Sequence, residues 1–177
     1  FSTGSSSKVL RLNGDGTIDT TFNSGTNTNN TVTSIAIDES GNYYVGGQFT
    51  TFNGVAKSKI VKLLSDGSID NTFAIGSGIT NGNVYDLIIN KQNAIMVLGS
   101  FNAYNSSSAN NIIALNPNGT KNVGFNSPFS SGLERYLYSI VQLDDGSYIF
   151  GGFYSSPASS FLYKTFENGI FDLNFDE

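Results

Sequence analysis

The stretch KLLSDGSIDNTF, residues 62–73, contains one copy of a phrase that recurs along the chain. The phrase reads Leu-x-x-Asp-Gly-x-Ile-Asp-x-x-Phe, and its relatives are LNGDGTIDTTF at 12–22, LNPNGTKNVGF at 115–125 and TFENGIFDLNF at 165–175. The closing aromatics lie 51, 52 and 50 residues apart, at Phe22, Phe73, Phe125 and Phe175. A nearly fixed period of this length indicates a repeat architecture in which each copy belongs to one structural unit.

A second phrase has the same period, so the repeat does not depend on a single motif. YYVGGQF, IMVLGSF and YIFGGF end at Phe49, Phe101 and Phe153, with intervals of 52 residues. Alternation of apolar and polar residues between turn signals predicts four strands in each unit. These span 32–38, 43–49, 59–64 and 68–73, then 84–90, 94–101, 111–115 and 119–125, then 136–143, 147–153, 160–166 and 169–175.

Four antiparallel strands about every 50 residues are typical of a β-propeller, in which twisted sheets pack face to face around a central axis. We therefore predict an all-β propeller segment of about three and a half four-stranded blades: a half blade at 1–24 and blades at 25–75, 76–127 and 128–177. A propeller usually has about four to eight blades. Because the chain begins with Phe1 rather than Met, we expect it to be part of a longer polypeptide and of a larger ring.

The composition argues against several kinds of chemistry. The 177 residues include neither Cys nor His, so the usual zinc ligands, the commonest general base and the Ser-His and Cys-His nucleophile pairs are absent. We expect no enzyme activity, no metal and no cofactor. Lys and Arg number 9 against 14 acidic residues and are scattered, which argues against nucleic acid as a partner. No apolar run is long enough to span a membrane.

The phrases RLNGDGTIDTTF and YYVGGQF closely resemble the delta-60 repeat family, β-propeller-like repeats of large bacterial secreted and surface proteins and of some phage proteins. The resemblance covers almost the whole chain. The third copy departs from it with Asn118 and Asn122 in place of Asp, and the fourth has Thr165 in place of the leading Leu. Gly46-Gly47 also resembles a kelch strand ending, so kelch-type propellers are the nearest alternative family. Neither resemblance implies a catalytic residue.

The stretch NGDGTID, residues 13–19, permits two interpretations. Asp15 and Asp19 have the oxygen-rich spacing of a short calcium loop, whereas Asp-Gly and Asn-Gly are also favoured in tight hairpin turns. The third copy, NPNGTKN, lacks both carboxylates but keeps the glycine and the flanking strands. A metal site would lose its charge there and a turn would lose nothing, so we predict turns.

The order of the strands locates the candidate binding surface. The connections from first to second and from third to fourth strands are short and fall on one rim, here called the short-turn rim. The longer connections fall on the opposite, long-loop rim, and binding residues concentrate on such loops. The candidates for ligand binding there are Phe52, Lys57, Tyr104, Arg135, Tyr136 and Tyr154, since Tyr offers a flat apolar face and a hydroxyl to a protein or glycan.

These observations favour a non-enzymatic interaction or adhesion module of a large bacterial cell-surface or secreted protein. Its expected partners are a protein or glycan on the long-loop rim and the remaining propeller blades, from the same or another chain. A structural component of a phage virion or tail is an alternative, in line with the resemblance. A glycan-acting enzyme is a second alternative, in which Asp144, Asp145 and Glu134 would supply carboxylates, although the two adjacent Asp residues also favour a hairpin turn.

Overall fold

The computed structural model describes residues 9–23, 25, 28–130 and 135–175, which contain β-strands and no helix. In this part of the chain the strands are β1 (Val32–Ile37), β2 (Tyr43–Gly47), β3 (Thr51–Phe52), β4 (Val55–Ala56), β5 (Ile60–Leu63), β6 (Ile79–Thr80), β7 (Val84–Ile89), β8 (Ile95–Gly99), β9 (Ala103–Tyr104), β10 (Ser107–Ser108), β11 (Ile112–Leu115), β12 (Arg135–Gln142), β13 (Tyr148–Ser155) and β14 (Ala158–Thr165).

Three antiparallel sheets repeat along the chain, with strand orders β1-β2-β5, β7-β8-β11 and β12-β13-β14. We call them blades 1, 2 and 3. They are the first three predicted strands of each unit, so the predicted all-β repeat fold is confirmed. Blade 2 lies between the other two because its first strand, β7, contacts both β1 and β12. Within the described ranges, the blades do not close into a ring.

The fourth strand of each unit is shorter than predicted. Ile69 pairs with Leu63 as an isolated bridge, and the equivalent pairs are Leu12 with Ile18, Leu115 with Lys121 and Thr165 with Phe171. The strand ends here because Asp70 Oδ1 accepts hydrogen bonds from Thr72 N at 2.8 Å and Thr72 Oγ1 at 2.6 Å, which bends the backbone into a turn. The turn directs Phe73 into the junction between blades 1 and 2.

The Asp-Gly stretches form turns, as predicted. Asp66 Oδ1 accepts hydrogen bonds from Ser68 N at 2.9 Å and Ser68 Oγ at 2.7 Å. Asn118 Oδ1 makes the same pair of bonds with Thr120, at 3.1 Å and 2.8 Å. The glycine after each of these residues has a φ of 89°, where a side chain would be strained. Asn replaces Asp without a change of conformation, so the turn and not a bound ion determines the local geometry.

Apolar clusters fill the junctions between blades. The closing aromatics Phe22, Phe73 and Phe125 are 8%, 1% and 5% exposed, each packed against the blade that follows its own. These three aromatic side chains therefore belong to the core. Phe175 is half-buried, because no described blade follows it.

The glycines at the ends of the second strands permit a close approach of the backbone. A Cβ on Gly47 would overlap the carbonyl oxygen of Thr31, and a Cβ on Gly99 would overlap that of Asn83. Both carbonyls belong to the chain entering the first strand of the same blade. The neighbouring backbone therefore leaves no room for a side chain at these two positions.

Candidate functional site

The long-loop rim is more ordered than the sequence predicted. Two of its connections form hairpins, β3-β4 and β9-β10, whose turns are Asn53-Gly54, with φ 50° and 74°, and Asn105-Ser106, with φ 45° and 62°. Two successive positive φ values are typical of the turns that close tight hairpins. β6, from the preceding connection, pairs with β9. Small sheets therefore cover the outer ends of the blade junctions.

Two of the six predicted ligand-binding residues, Phe52 and Tyr104, belong to these hairpins and are buried. Phe52 is 1% exposed and its ring lies 6.2 Å from that of Phe49. Tyr104 is 2% exposed, its hydroxyl donates a short hydrogen bond to the carbonyl oxygen of Gly119, and burial raises the pKa of that hydroxyl. The expectation that these side chains lie at the surface does not hold, because the hairpins turn them inward. Both stabilise the junctions.

Three other predicted residues, Lys57, Arg135 and Tyr154, contact neighbouring parts of the chain. Lys57 is 9% exposed, and its backbone N–H donates to Thr50 O at 3.0 Å. Arg135 and Tyr154 lie together: the guanidinium carbon is 5.5 Å from the Tyr154 ring centroid and 4.5 Å from that of Phe129. Arg135 is 6% exposed, and with Tyr154 it lines a cavity of about 410 Å³. Stacking between two rings holds this arginine in place.

Tyr136 belongs to a group of three tyrosines near the start of the first strands of blades 2 and 3. The Tyr138 ring centroid lies 5.2 Å from that of Tyr85 and 6.4 Å from that of Tyr136. The centroids of Tyr85 and Tyr136 are 6.4 Å apart. The ring planes of Tyr136 and Tyr138 meet at 13°. The plane of Tyr85 meets that of Tyr136 at 30° and that of Tyr138 at 36°. Tyr138 is 53% exposed and the other two are half-buried. We call Tyr85, Tyr136 and Tyr138 the tyrosine cluster.

β-Bulges determine where two of these side chains point. The register of β7 shifts between Val84 and Asp86, and that of β12 shifts between Leu137 and Ser139. The extra residues are Tyr85 and Tyr138. The first strand of blade 1 shifts at the corresponding place. Bulges redirect a side chain out of the regular alternation of a strand, and here they bring tyrosines of two blades together.

The carboxylate of Asp86 holds the three first strands in register. Its Oδ1 accepts a hydrogen bond from Ser34 Oγ at 2.8 Å, and its Oδ2 accepts one from the backbone N–H of Ile140 at 3.2 Å. One side chain of blade 2 thereby bonds both neighbouring blades. Because Asp86 follows Tyr85 directly and Ile140 lies two residues beyond Tyr138, these bonds fix the positions of the two tyrosines.

Sequence reasoning selected Tyr136 but missed Tyr85 and Tyr138. The stretch RYLY contains both Tyr136 and Tyr138, but Tyr138 is the extra residue of the β12 bulge, so regular strand alternation does not predict that the two rings meet. Tyr85 lies 51 residues before Tyr136. Only the packing of blade 2 on blade 3 brings it close.

Of the acidic residues considered for glycan chemistry, Asp144 and Asp145 have structural contacts. Asp145 Oδ1 accepts a hydrogen bond from Ser147 N at 2.9 Å, and Asp144 pairs with Lys91 Nζ at 3.1 Å, in the hairpin turn that was predicted. Glu134 lies outside the described residues. Among those that are described, no three His, Cys, Asp or Glu side chains are placed to hold a metal ion, and no helix is long and apolar enough to cross a membrane.

The repeated blades define a β-propeller repeat protein. The chain belongs to the DUF5122 β-propeller family, a domain family of unknown function whose model matches residues 1–22, 40–73 and 93–125, half of the chain. Each matched segment ends with one of the first three copies of the repeated phrase. The β-propeller repeat family predicted from those phrases is therefore confirmed.

No curated protein sequence matches the chain. Among solved structures, it is similar to the crystal structure of the extracellular domain of a hybrid two component system from B. thetaiotaomicron, with 17% sequence identity and a TM-score of 0.45. The similarity covers 81% of this chain and 18% of that one. The chain thus spans less than a fifth of the length of that protein.

Proposed function

We propose that this chain is a non-enzymatic interaction module of a bacterial cell-surface or secreted protein and that it binds its partner on the tyrosine cluster. The observation that carries the proposal is a cluster of three partly exposed tyrosine rings, with planes 13° to 36° apart, on strands that hydrogen bonds of Asp86 hold together. Aromatic side chains contribute much of the energy at binding sites because they present a large area with few rotatable bonds.

The composition of the core supports a role in binding. The apolar clusters at the described blade junctions contain other aromatic residues, among them Phe73, Phe125 and Tyr148, but none of the tyrosine cluster. Aromatic rings outside the core leave apolar surface in water, which is unfavourable unless a partner covers it. The cluster therefore has the character of a contact surface.

The acid chemistry of the described residues supports a non-enzymatic role. Hydrogen bonds from the Ser two residues later lower the pKa values of Asp66 and Asp145. Burial acts to raise the pKa of Asp70, but hydrogen bonds from Thr72 and Lys62 outweigh it and the pKa is lowered. A general acid near neutral pH needs a raised pKa, and the shifts here run in the opposite direction.

The forward face of blade 3, which points away from blade 2, supports a second class of partner. Val141 and Leu162 on this face are 52% and 46% exposed, although their equivalents in blade 2 are covered by blade 3. We propose in addition that further propeller blades, from the same or another chain, cover this face. The location at the cell surface rests on the resemblance to delta-60 repeats.

Retention on coated surfaces tests the binding role. The chain is passed over immobilised fibronectin, collagen, mucin and bacterial cell-wall polysaccharide, and binding is recorded by biolayer interferometry. Tyr138→Ser removes an exposed ring of the cluster, and Phe166→Ser removes a ring of similar exposure, 49%, at a turn on the short-turn rim. We expect Tyr138→Ser to bind about tenfold more weakly and Phe166→Ser to bind like the unmodified chain.

Two results would reject the proposal. One is retention that Tyr138→Ser leaves unchanged, which would place the binding surface elsewhere. The other is the absence of retention on every surface by a chain whose circular dichroism shows a folded β-protein. Thermal unfolding of both variants serves as the check that lost binding is not lost structure.

A further inference from the structure

We infer that the tyrosine cluster binds a neutral oligosaccharide. The inference rests on the proposed function, because it names the ligand class of the same site. It is carried by the arrangement of the three rings, the state of their hydroxyls, the charges around them and the size of the surface that they offer.

The rings of the cluster keep faces that a ligand can cover. If two rings stacked on opposite faces of a third ring, their centroids would lie at least about 7 Å apart, because each stacked contact spans about 3.5 Å. The three centroid distances are 5.2, 6.4 and 6.4 Å, all shorter than such a sandwich requires. Each tyrosine therefore has at least one face that the other two do not cover. The planes of the three rings are 13° to 36° apart, and we call their uncovered faces together the platform.

A sugar ring matches this platform chemically. The face of an aromatic ring is electron-rich, and the C–H groups on one side of a pyranose are electron-poor and apolar, so the two surfaces attract each other. Hydroxyl groups surround the edge of the sugar and need hydrogen-bond partners. Each tyrosine hydroxyl can donate one bond and accept others, and among the described residues none of the three has a hydrogen-bond partner. The cluster thus offers both kinds of contact that a sugar needs.

The charges around the cluster favour a neutral ligand over an acidic one. The formal net charge of the chain is −5, and Asp86 lies next to Tyr85. Arg135 precedes Tyr136, but its guanidinium is 6% exposed and already lies over the rings of Phe129 and Tyr154. A phosphate, sulfate or carboxylate ligand would therefore meet a net negative chain and an arginine that is already packed between two rings. Stacked nucleobases are disfavoured for the same reason, because their backbone needs a basic groove.

The extent of the platform favours a slender ligand over a folded protein. A stable protein interface covers about 800 Å² on each partner, with an apolar centre built from many residues. Here only Tyr138 is more than half exposed. At the bulge of blade 1 the place of Tyr85 is taken by Thr33, whose hydroxyl donates to Val84 O at 3.0 Å. The described aromatic surface is therefore confined to blades 2 and 3.

Calorimetric titration of the full chain with defined oligosaccharides tests the inference. The neutral probes are cellohexaose, mannohexaose and chitohexaose, and the acidic probe is hexagalacturonic acid. We expect at least one neutral probe to bind, with an affinity that changes little between about 0.05 M and 0.5 M salt, because no ion pair forms. The chain contains no Trp, so a change in tyrosine fluorescence on binding provides a second readout.

Variants of the cluster supply the decisive comparison. We expect Tyr138→Ser and Tyr85→Ser each to weaken neutral-sugar binding about tenfold. Tyr138→Phe keeps the ring and loses only the hydroxyl, so its affinity should fall about threefold. Phe166→Ser is the matched control and should bind like the unmodified chain.

The possible failures are distinguishable. If the chain is retained on fibronectin or collagen through Tyr138 but binds no sugar probe, the proposed interaction role stands and the ligand class is overturned in favour of protein. Binding of hexagalacturonic acid alone overturns the neutral character. Neutral-sugar binding that neither serine variant weakens overturns the assignment of the site. No binding to any probe or coated surface rejects the inference together with the proposed function.

Discussion

Blade 2 and blade 3 have the same strand order but different surroundings. Ile112 of blade 2 and Leu162 of blade 3 occupy equivalent positions, opposite Leu98 and Gly151 in their second strands. Ile112 is 1% exposed and Leu162 is 46% exposed. The two residues have side chains of equal size, so the difference is caused by what packs on the sheet. Among the described residues, blade 2 is covered on both faces, whereas blade 3 is covered on the side of blade 2 alone.

The comparison shows that a blade of this repeat has apolar residues on both faces, even where no neighbouring blade covers one of them. Val141, Ile149 and Leu162 form an apolar forward face on blade 3, as Ile88, Met96 and Ile112 do on blade 2. A two-faced apolar sheet is stable in water only when both faces are packed. This is the physical basis for proposing that further blades cover blade 3.

The largest contrast should come from truncating the two equivalent side chains. Ile112→Ala leaves a cavity between blades 2 and 3 and should lower the free energy of unfolding by about 2–5 kcal/mol. Leu162→Ala removes a side chain already half in water and should lower it by less than about 1 kcal/mol. Urea unfolding of both variants measures the difference. Equal losses would show that something already covers blade 3 in solution, such as a second copy of the chain.

Adding a methyl group, instead of removing one, should also destabilise a covered face more than an open face. A Cβ at Gly46 would lie 2.7 Å from Val84 Cγ1 and 2.7 Å from Leu87 Cδ2, in blade 2. Gly46→Ala should therefore destabilise the chain by about 1–3 kcal/mol through overpacking. At the equivalent Gly151 the nearest atom is Leu162 Cδ1 at 3.7 Å, so Gly151→Ala should change stability by less than about 0.5 kcal/mol. A disruptive Gly151→Ala would argue against an open face.

The paired charges should show a smaller contrast. Lys62 lies 3.3 Å from Asp70, and Lys164 lies 3.2 Å from Asp172, but the carboxylate side chains are 9% and 13% exposed and the lysines 11% and 21%. Asp70→Ala leaves Lys62 more deeply buried without its partner and should cost about 1–2 kcal/mol. Asp172→Ala should cost about half as much, since water reaches Lys164 more easily. Thermal unfolding at neutral pH compares them, and a larger effect at Asp172 would contradict the packing argument.

The smallest expected effect is the response to acid. Hydrogen bonds from Thr21, with a contribution from Arg11, lower the pKa of Asp19 to about 2, below its value in an unfolded chain. A lowered pKa contributes stability at neutral pH that is lost as the pH falls from about 4 towards 2. The melting temperature of Asp19→Asn should therefore depend less on pH over that range than the melting temperature of the unmodified chain.

Blade 2 provides the control for the acid experiment. In the copy of the phrase that follows blade 2, Asn118 and Asn122 replace the two Asp residues found after blade 1, Asp66 and Asp70. The packing of this copy on its neighbour therefore does not depend on carboxylates at these positions. Ile112→Ala should therefore lower the melting temperature by a similar amount at pH 5 and pH 3. An Asp19→Asn variant as acid-sensitive as the unmodified chain would show that other groups control the transition.

Much of the fold was predictable because its signals are local. The first three strands of each blade follow from alternation, and the turns follow from Asp-Gly or Asn-Gly. The fourth strand was predicted too long. The reason is the hydrogen bonding of Asp70 to Thr72, a local competition that apolar alternation does not reveal.

The candidate site was less predictable because it depends on contacts between distant residues. Of the predicted residues, Tyr136 joins the tyrosine cluster, Arg135 and Tyr154 line a separate cavity, and Phe52 and Tyr104 are buried. Choosing aromatic residues from long connections selected Tyr136, a member of the cluster proposed as the binding site. It could not tell which rings the hairpins would turn inward.

The amino-acid sequence by itself determined the period, the strands and the turns, since these depend on hydrogen bonds and alternation within a few residues. It also made both faces of every blade apolar, which obliges the blades to stack. Only the tertiary structure decided that Tyr85 meets Tyr136 and Tyr138. Their meeting requires bulges in two strands and the packing of one blade on the next, and both are properties of the assembled sheets.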